Sequence, residues 1–259
     1  MKVACVQLDI AFGKPEENFH NVKGKVREAA SFGAKVVVLP EMWNTGYDLT
    51  RLEEIADVEG QDTKKLFTEL SKELSIYIIG GSVSTKKGNK FYNTMYVTND
   101  YGDIIAEYNK AHLFKLMDEH LYLEEGNEKN LFTVDGTEMS GIICYDLRFP
   151  EWTRVHALNG AKVMFIPAQW PDKRIDHWKI LLQARAIENQ IFIVAVNRVG
   201  SDPNNFFDGN SMVIAPWGEI LWTGGNEEAV QIVDINLTEV EEVRNRIPVF
   251  LDRREVLYN

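Results

Sequence analysis

Cysteine is scarce in this chain: 259 residues include two, Cys5 and Cys144. Two thiols cannot build a disulfide framework, and a reducing, cytoplasmic compartment is expected. Basic residues are outnumbered, 28 Lys plus Arg against 39 Asp plus Glu, for a formal net charge of −11. That balance repels phosphate backbones and excludes nucleic acid as the expected partner. The apolar runs, such as VVVL at 36–39 and IFIVAV at 191–196, are far too short to span a bilayer, so no membrane is expected either. The start, MKVACVQLDI, meets Asp9 at once and reads as a first β-strand rather than a signal peptide. Histidines lie far apart, and no H-E-x-x-H, C-x-x-C, G-x-S-x-G, G-x-G-x-x-G or P-loop occurs. No metal and no cofactor is therefore expected.

What the chain does contain is a faint duplication. Residues 33–43 read GAKVVVLPEMW, and residues 160–170 read GAKVMFIPAQW. Glu73-Leu-Ser-Ile-Tyr-Ile-Ile is echoed by Glu188-Asn-Gln-Ile-Phe-Ile-Val. Asn93-Thr-Met leads to Gly102-Asp-Ile-Ile, as Asn210-Ser-Met leads to Gly218-Glu-Ile-Leu. Three matches in the same order point to two related halves within one domain spanning 1–259.

Periodicity predicts the elements of each half. Phe19, Val22, Val26 and Ala29–Ala30 give 15–32 a helical face, and residues 35–39 form a β-branched run suited to a buried strand. Residues 62–74 place Leu66, Leu70 and Leu74 on one face, with Asp62 as the expected cap. Strands are expected at 76–80, 91–98 and 103–108. The second half repeats the order with a helix at 175–189 and strands at 191–196, 210–215 and 219–222, plus one more strand at 229–234. Two sheets, each covered by helices on one face and packed together on the other, bury all these runs. The expected fold class is α/β, a four-layer α-β-β-α sandwich with pseudo-twofold halves.

Three chemistry-bearing residues fall at strand ends. Cys144 ends GIIC and precedes a helix at about 149–159, whose N-terminus is expected to lower a thiol's pKa and to offer N–H groups to an oxyanion. Taken alone, such a cysteine is more often structural. Glu41 closes VVVLPE, and the duplicate carries Ala168 at the matching place, which favours a special task for the single carboxylate. Lys110 follows IIAEYN; taken alone it reads as a surface lysine.

Together these segments carry a family resemblance. LPEMWNTGY around Glu41, YNKAHLF around Lys110 and GIICYDLRFPE around Cys144 resemble the nitrilase superfamily of carbon–nitrogen hydrolases, and the likeness runs from ACVQLD to RIPVFLDRR. It is closest to the ω-amidase branch, which hydrolyses the terminal amide of 2-oxo acids such as 2-oxoglutaramate. The resemblance implies that Cys144 is the nucleophile, Glu41 the general base and Lys110 the oxyanion stabiliser. It also implies that Glu119 in MDEH is a further site acid, with Glu124 and Glu125 as neighbours competing for that place. A homodimer is a family expectation.

The chemistry is coherent in its own terms. An amide carbonyl is a poor electrophile; a thiolate supplies the attack, Glu41 moves the proton, and Lys110 with the backbone N–H of Tyr145 stabilises the oxyanion. Trp43, Tyr47, Tyr145 and Trp170 are candidate walls of a substrate pocket and, equally, candidates for the core or an interface. A carboxylated small-molecule amide needs a cation, for which Arg174, Lys173 and Arg198 are placed; Arg148 is expected instead to pair with an acid such as Glu151. Val249, Phe250 and Leu251 are expected to pack on the body or on a second subunit. The alternatives are an N-carbamoyl-amine or N-carbamoyl-amino-acid hydrolase, which releases carbon dioxide as well as ammonia, and a non-catalytic protein on a hydrolase fold. An intact Glu41, Lys110 and Cys144 argues against the last.

Overall fold

The fold was obtained as a computed structural model that describes residues 1–258. Asn259, the last residue of the expected domain, lies outside the described residues. The first half runs β1 (Lys2–Gln7), α1 (Pro15–Ser31), β2 (Val36–Val38), α2 (Leu52–Ile55), β3 (Asp57–Val58) and α3 (Gln61–Leu74). It continues with β4 (Tyr77–Ile79), β5 (Val83–Lys87), β6 (Lys90–Thr98) and β7 (Ile104–Asn109). Then follow α4 (Glu119–Tyr122), β8 (Leu131–Val134), β9 (Thr137–Gly141), α5 (Pro150–Leu158), β10 (Val163–Ala168) and α6 (Ile175–Asn189). The chain closes with β11 (Phe192–Asn197), β12 (Val199–Ser201), β13 (Phe206–Asp208), β14 (Met212–Ile214), β15 (Ile220–Thr223), β16 (Ala229–Asp234) and α7 (Thr238–Arg246).

One large sheet is ordered β16-β1-β2-β4-β6-β5-β3 with β7 also on β6; the other is ordered β15-β14-β11-β10-β9-β8, and β12 and β13 form a separate two-stranded ribbon. In the first, β1, β2 and β4 are parallel; in the second, β9, β10 and β11 are parallel. Alternation along β1 shows how the layers form. Val3 and Cys5 face the core between the sheets, while Ala4 and Val6 face α1 and α3. Phe67 and Leu70 of α3 and Val22 and Val26 of α1 cover that outer face. Each such side chain removed from water contributes about 1.5–3 kcal/mol. This is the expected four-layer α-β-β-α sandwich.

The duplication is structural down to single backbone angles. Gly33 (φ 83°) and Gly160 (φ 100°) follow the matching helices α1 and α5. Ser75 (φ 55°) and Gln190 (φ 52°) end α3 and α6, and Gly102 and Gly218, both at φ 88°, turn the matching hairpins. Left-handed angles at non-glycine residues in both copies show that helix termination, rather than residue type, sets the geometry there.

The final strand of each half crosses to the sheet of the other half. The expected strand at 229–234 forms, and it pairs antiparallel with β1 in the first sheet. Conversely β8, which follows the first half, pairs with β9 in the second sheet. The halves thus exchange their closing strands. The α3 cap differs from expectation. Asp57, not Asp62, accepts the N–H groups of Asp62 (3.1 Å) and Thr63 (2.8 Å), because Gly60 turns the chain between them. Near the C-terminus Phe250 packs under Arg154 and Arg244, whereas Leu251 is 87% exposed.

Candidate active site

Glu41 stands three residues past β2, Lys110 directly past β7, and Cys144 three residues past β9. All three are buried. Their elements lie far apart along the chain, yet their side chains converge where the sheet ends meet. Lys110 Nζ donates to Glu41 Oε1 at 2.8 Å and to Glu119 Oε1 at 2.6 Å. An ammonium has three N–H donors, so one remains for a reacting group. Glu41 Oε1 also accepts from Asn93 Nδ2 at 2.8 Å, and Oε2 from the backbone N–H of Gln169 at 2.8 Å. The carboxylate of one half is thus held by the backbone of the other, at the residue after its duplicate Ala168.

Cys144 opens a turn of 3-10 helix, Cys144–Arg148, with φ 44°. For a non-glycine residue that left-handed angle costs about 1–2 kcal/mol. Buried Asp146 holds the turn. Its Oδ2 accepts from Ile143 N (3.0 Å) and Tyr108 Oη (2.7 Å), and its Oδ1 accepts from His112 N (2.9 Å) and contacts His112 Nδ1 at 2.7 Å. Residues 108 and 112 flank Lys110, so this one carboxylate fixes the thiol-bearing turn against the lysine-bearing loop. Neither Asp146 nor Asn93 was expected from the sequence. The available signals were a carboxylate inside a buried stretch, and an asparagine inside a strand.

The electrostatics overturn the expectation of a lowered thiol pKa. Burial pushes the Cys144 thiol well above its ordinary value, Glu41 pushes it the same way, and Lys110 opposes both. The five-residue turn separates the sulfur from the N-terminus of α5, and burial dominates, with Glu41 adding to it. Cys144 is thus held as a thiol beside the Glu41 carboxyl group, and a thiol in such surroundings attacks a carbonyl only with a base at hand. Although burial favours neutral Lys110, its short contacts to the carboxyl groups of Glu119 and Glu41 more than offset it and keep the ammonium protonated. Cys5 is different in kind: it lies between the sheets, where burial alone pushes its thiol up to about 12.

The expected pocket residues separate into distinct groups. Tyr145, Trp170 and Arg174 join Cys144, Phe114, Gln169 and Arg148 around a narrow, closely packed cleft. Tyr47 turns its hydroxyl onto Glu41 and Glu119. Trp43 is no pocket wall: it is fully buried on the helix side of the first sheet, edge-on to Phe19, with Nε1 donating to Gly80 O at 2.8 Å. Arg198 is not free for a substrate either. It is buried and paired with Asp9 at 2.7 Å, and it donates to Gln169 Oε1 at 3.2 Å. Lys173 does not line the cavity, and Arg148 does. Arg148 does not pair with Glu151; its guanidinium lies 4.6 Å from the Trp170 ring centre beside the thiol. Glu124 pairs with surface Lys90, which leaves Glu119 as the acid on Lys110.

A buried thiol, carboxylate and ammonium beside a cavity with two guanidinium groups define a cysteine hydrolase of the kind that cleaves carbon–nitrogen bonds. The carbon–nitrogen hydrolase family profile matches residues 2–245. The chain is 51% identical to 2-oxoglutaramate amidase of Bacillus subtilis (strain 168) over 99% of its length and 98% of that protein's. It is 35% identical to the omega-amidase NIT2 of Homo sapiens, covering 99% of this chain and 96% of that one. Among solved structures, a CN-hydrolase superfamily protein from Xanthomonas campestris with an arsenic adduct in its active site superposes with a TM-score of 0.90. The identity is 29%, and 98% of this chain and 97% of that one are covered. The chain belongs to the carbon–nitrogen hydrolase family of the nitrilase superfamily.

Proposed function

We propose that this chain hydrolyses the terminal amide of a small carboxylated substrate such as 2-oxoglutaramate, through a thioester on Cys144, releasing ammonia. The observation that carries the reading is the convergence of Glu41, Lys110 and Cys144 beside a cavity that also holds Arg148 and Arg174. The relatives' names point the same way. Glu41 takes the thiol proton as sulfur attacks the amide carbon. The free N–H of Lys110 and the backbone N–H of Tyr145 meet the oxyanion; one such donor is worth about 3–4 kcal/mol of barrier. The C–N bond breaks as Glu41 returns the proton to the departing nitrogen. Water, deprotonated by Glu41, then attacks the thioester, and the proton returns to sulfur as the acid leaves.

Arg148 and Arg174 supply the cations for the substrate's carboxylate. The whole chain acts as one hydrolase domain, in the cytoplasm, where Cys5 and Cys144 stay reduced. It acts as a homodimer: Leu158 of α5 and Ile180 and Ile187 of α6 stand exposed on the outer helix layer, an apolar surface suited to a second copy.

The test is a substrate panel scored for both ammonia and carbon dioxide. 2-Oxoglutaramate is expected to release ammonia alone, with kcat/KM about 100-fold above that for an uncharged amide of equal length, the scale of a charged hydrogen bond pair. Carbon dioxide release from an N-carbamoyl amine at a comparable rate, or indifference to the carboxylate, contradicts the proposal.

A further inference from the structure

Tyr47 occupies an unusual position. Its hydroxyl lies 2.6 Å from Glu119 Oε1 and 2.9 Å from Glu41 Oε1. Lys110 Nζ contacts the same two oxygens. Four polar atoms therefore close a ring: carboxylate, hydroxyl, carboxylate, ammonium. The ring sits at 0% exposure for Glu41, Lys110 and Glu119.

Counting hydrogens in that ring leads to a charge state. A tyrosine hydroxyl carries one hydrogen and can donate to one carboxylate. If both carboxylates were charged, one of the two short oxygen–oxygen contacts would have no hydrogen in it. A second buried negative charge would also face a single ammonium. One further proton removes both difficulties. Its location follows from the partners. Glu41 carries four donors, three on Oε1 and one on Oε2. Glu119 Oε2 accepts from Phe114 N at 2.6 Å, so the proton belongs on Glu119 Oε1, pointed at Tyr47.

Resting on the reading above, we propose that Tyr47 is a positioning residue: it accepts a hydrogen bond from neutral Glu119 and donates its own hydrogen to charged Glu41. The chain Glu119 to Tyr47 to Glu41 is directional. It keeps the general base ionised while Glu119 contributes no competing charge, and Lys110 retains one carboxylate as its true counter-ion. No proton is consumed in the cycle; that of Glu119 stays in place while Glu41 carries the thiol proton to nitrogen. Burial and the Glu41 charge raise the Glu119 carboxyl against the pull of Lys110, in agreement with this assignment.

Two measurements test it. The first is the infrared spectrum of the resting wild-type enzyme near neutral pH, with no substrate present. A carbonyl band of a protonated carboxylic acid is expected, absent in Glu119→Ala and shifted in Tyr47→Phe. Absence of such a band in the wild type overturns the proposal, and this arm is independent of which amide the enzyme cleaves. The second is the pH profile of Tyr47→Phe. Removing a donor from an ionised base moves the acid limb of kcat/KM to higher pH, here by about one unit, with kcat down about 10-fold and KM within about twofold. An unmoved acid limb with a changed KM would make Tyr47 a mere pocket wall and would also overturn it.

Discussion

Gln169 and Glu41 are joined twice across the two halves: the Gln169 backbone N–H donates to Glu41 Oε2 at 2.8 Å, and its Nε2 donates to the Glu41 carbonyl at 2.8 Å. Gln169 also accepts from buried Arg198. Replacing it with alanine strands a buried carbonyl and an N–H of Arg198. The expected cost is about 1–3 kcal/mol per unsatisfied group in urea denaturation, with reduced kcat from a loosened Glu41. Unchanged stability would mean that this seam carries little of the fold.

Asp146 carries the second structural prediction. Asp146→Asn replaces an acceptor by a donor where Ile143, Tyr108 and His112 all direct hydrogens inward. The Cys144 turn then loses its clamp. Activity is expected to fall at least 100-fold, with the loss in kcat rather than KM, because each bond to a buried charge is worth about 1.5–3 kcal/mol. A variant affected only in KM would show that Asp146 shapes the pocket, not the nucleophile.

Substrate selection is tested by Arg148→Met. Beside Trp170 and the thiol, this guanidinium has no acidic partner within ion-pair distance among the described residues. The variant is expected to raise KM for carboxylated amides by about 10-fold or more and to leave uncharged amides nearly unaffected. An equal loss on both substrates would assign Arg148 to structure.

His156 gives a pH dependence of stability. It is buried, contacts the Trp152 carbonyl through Nδ1 at 2.7 Å and accepts from Asn130 N through Nε2 at 3.1 Å, so the folded protein holds it neutral. Burial lowers its pKa below the ordinary 6.5. The unfolded chain then binds the extra proton, and stability falls as pH drops through about 6.5 and below, by at most about 1.4 kcal/mol per pH unit. Thermal unfolding of wild type and His156→Gln at pH 7.5 and pH 5.5 checks this. The variant is expected to be less stable at pH 7.5 but to lose less on acidification.

Much of this was legible in the sequence because the halves repeat and strands buried on both faces read as apolar runs. Helix 175–189 and the strand at 229–234 carry their own periodicity, so their bounds emerged directly. The strand's sheet did not emerge, because pairing partner is a tertiary choice that Ala229–Asp234 does not encode locally. Glu41, Lys110 and Cys144 were legible as strand-end residues within motifs. Trp43 and Arg148 were misread for one shared reason: a residue near a strand end can face the helix layer or the cavity, and a turn such as that at Met42 (φ 46°) decides which. Asp146 was missed because its role depends on Tyr108 and His112, far away in sequence but adjacent in space.

The central claim is that Cys144 forms an acyl bond with the substrate while Glu41 serves as the base. The most direct measurement is the intact mass of the enzyme quenched during turnover, followed by peptide mapping. A mass increase matching the substrate minus ammonia, located on Cys144 and absent from both Cys144→Ala and Glu41→Gln, is the result expected here. An adduct at another residue, or unimpaired acylation in Glu41→Gln, would contradict the account.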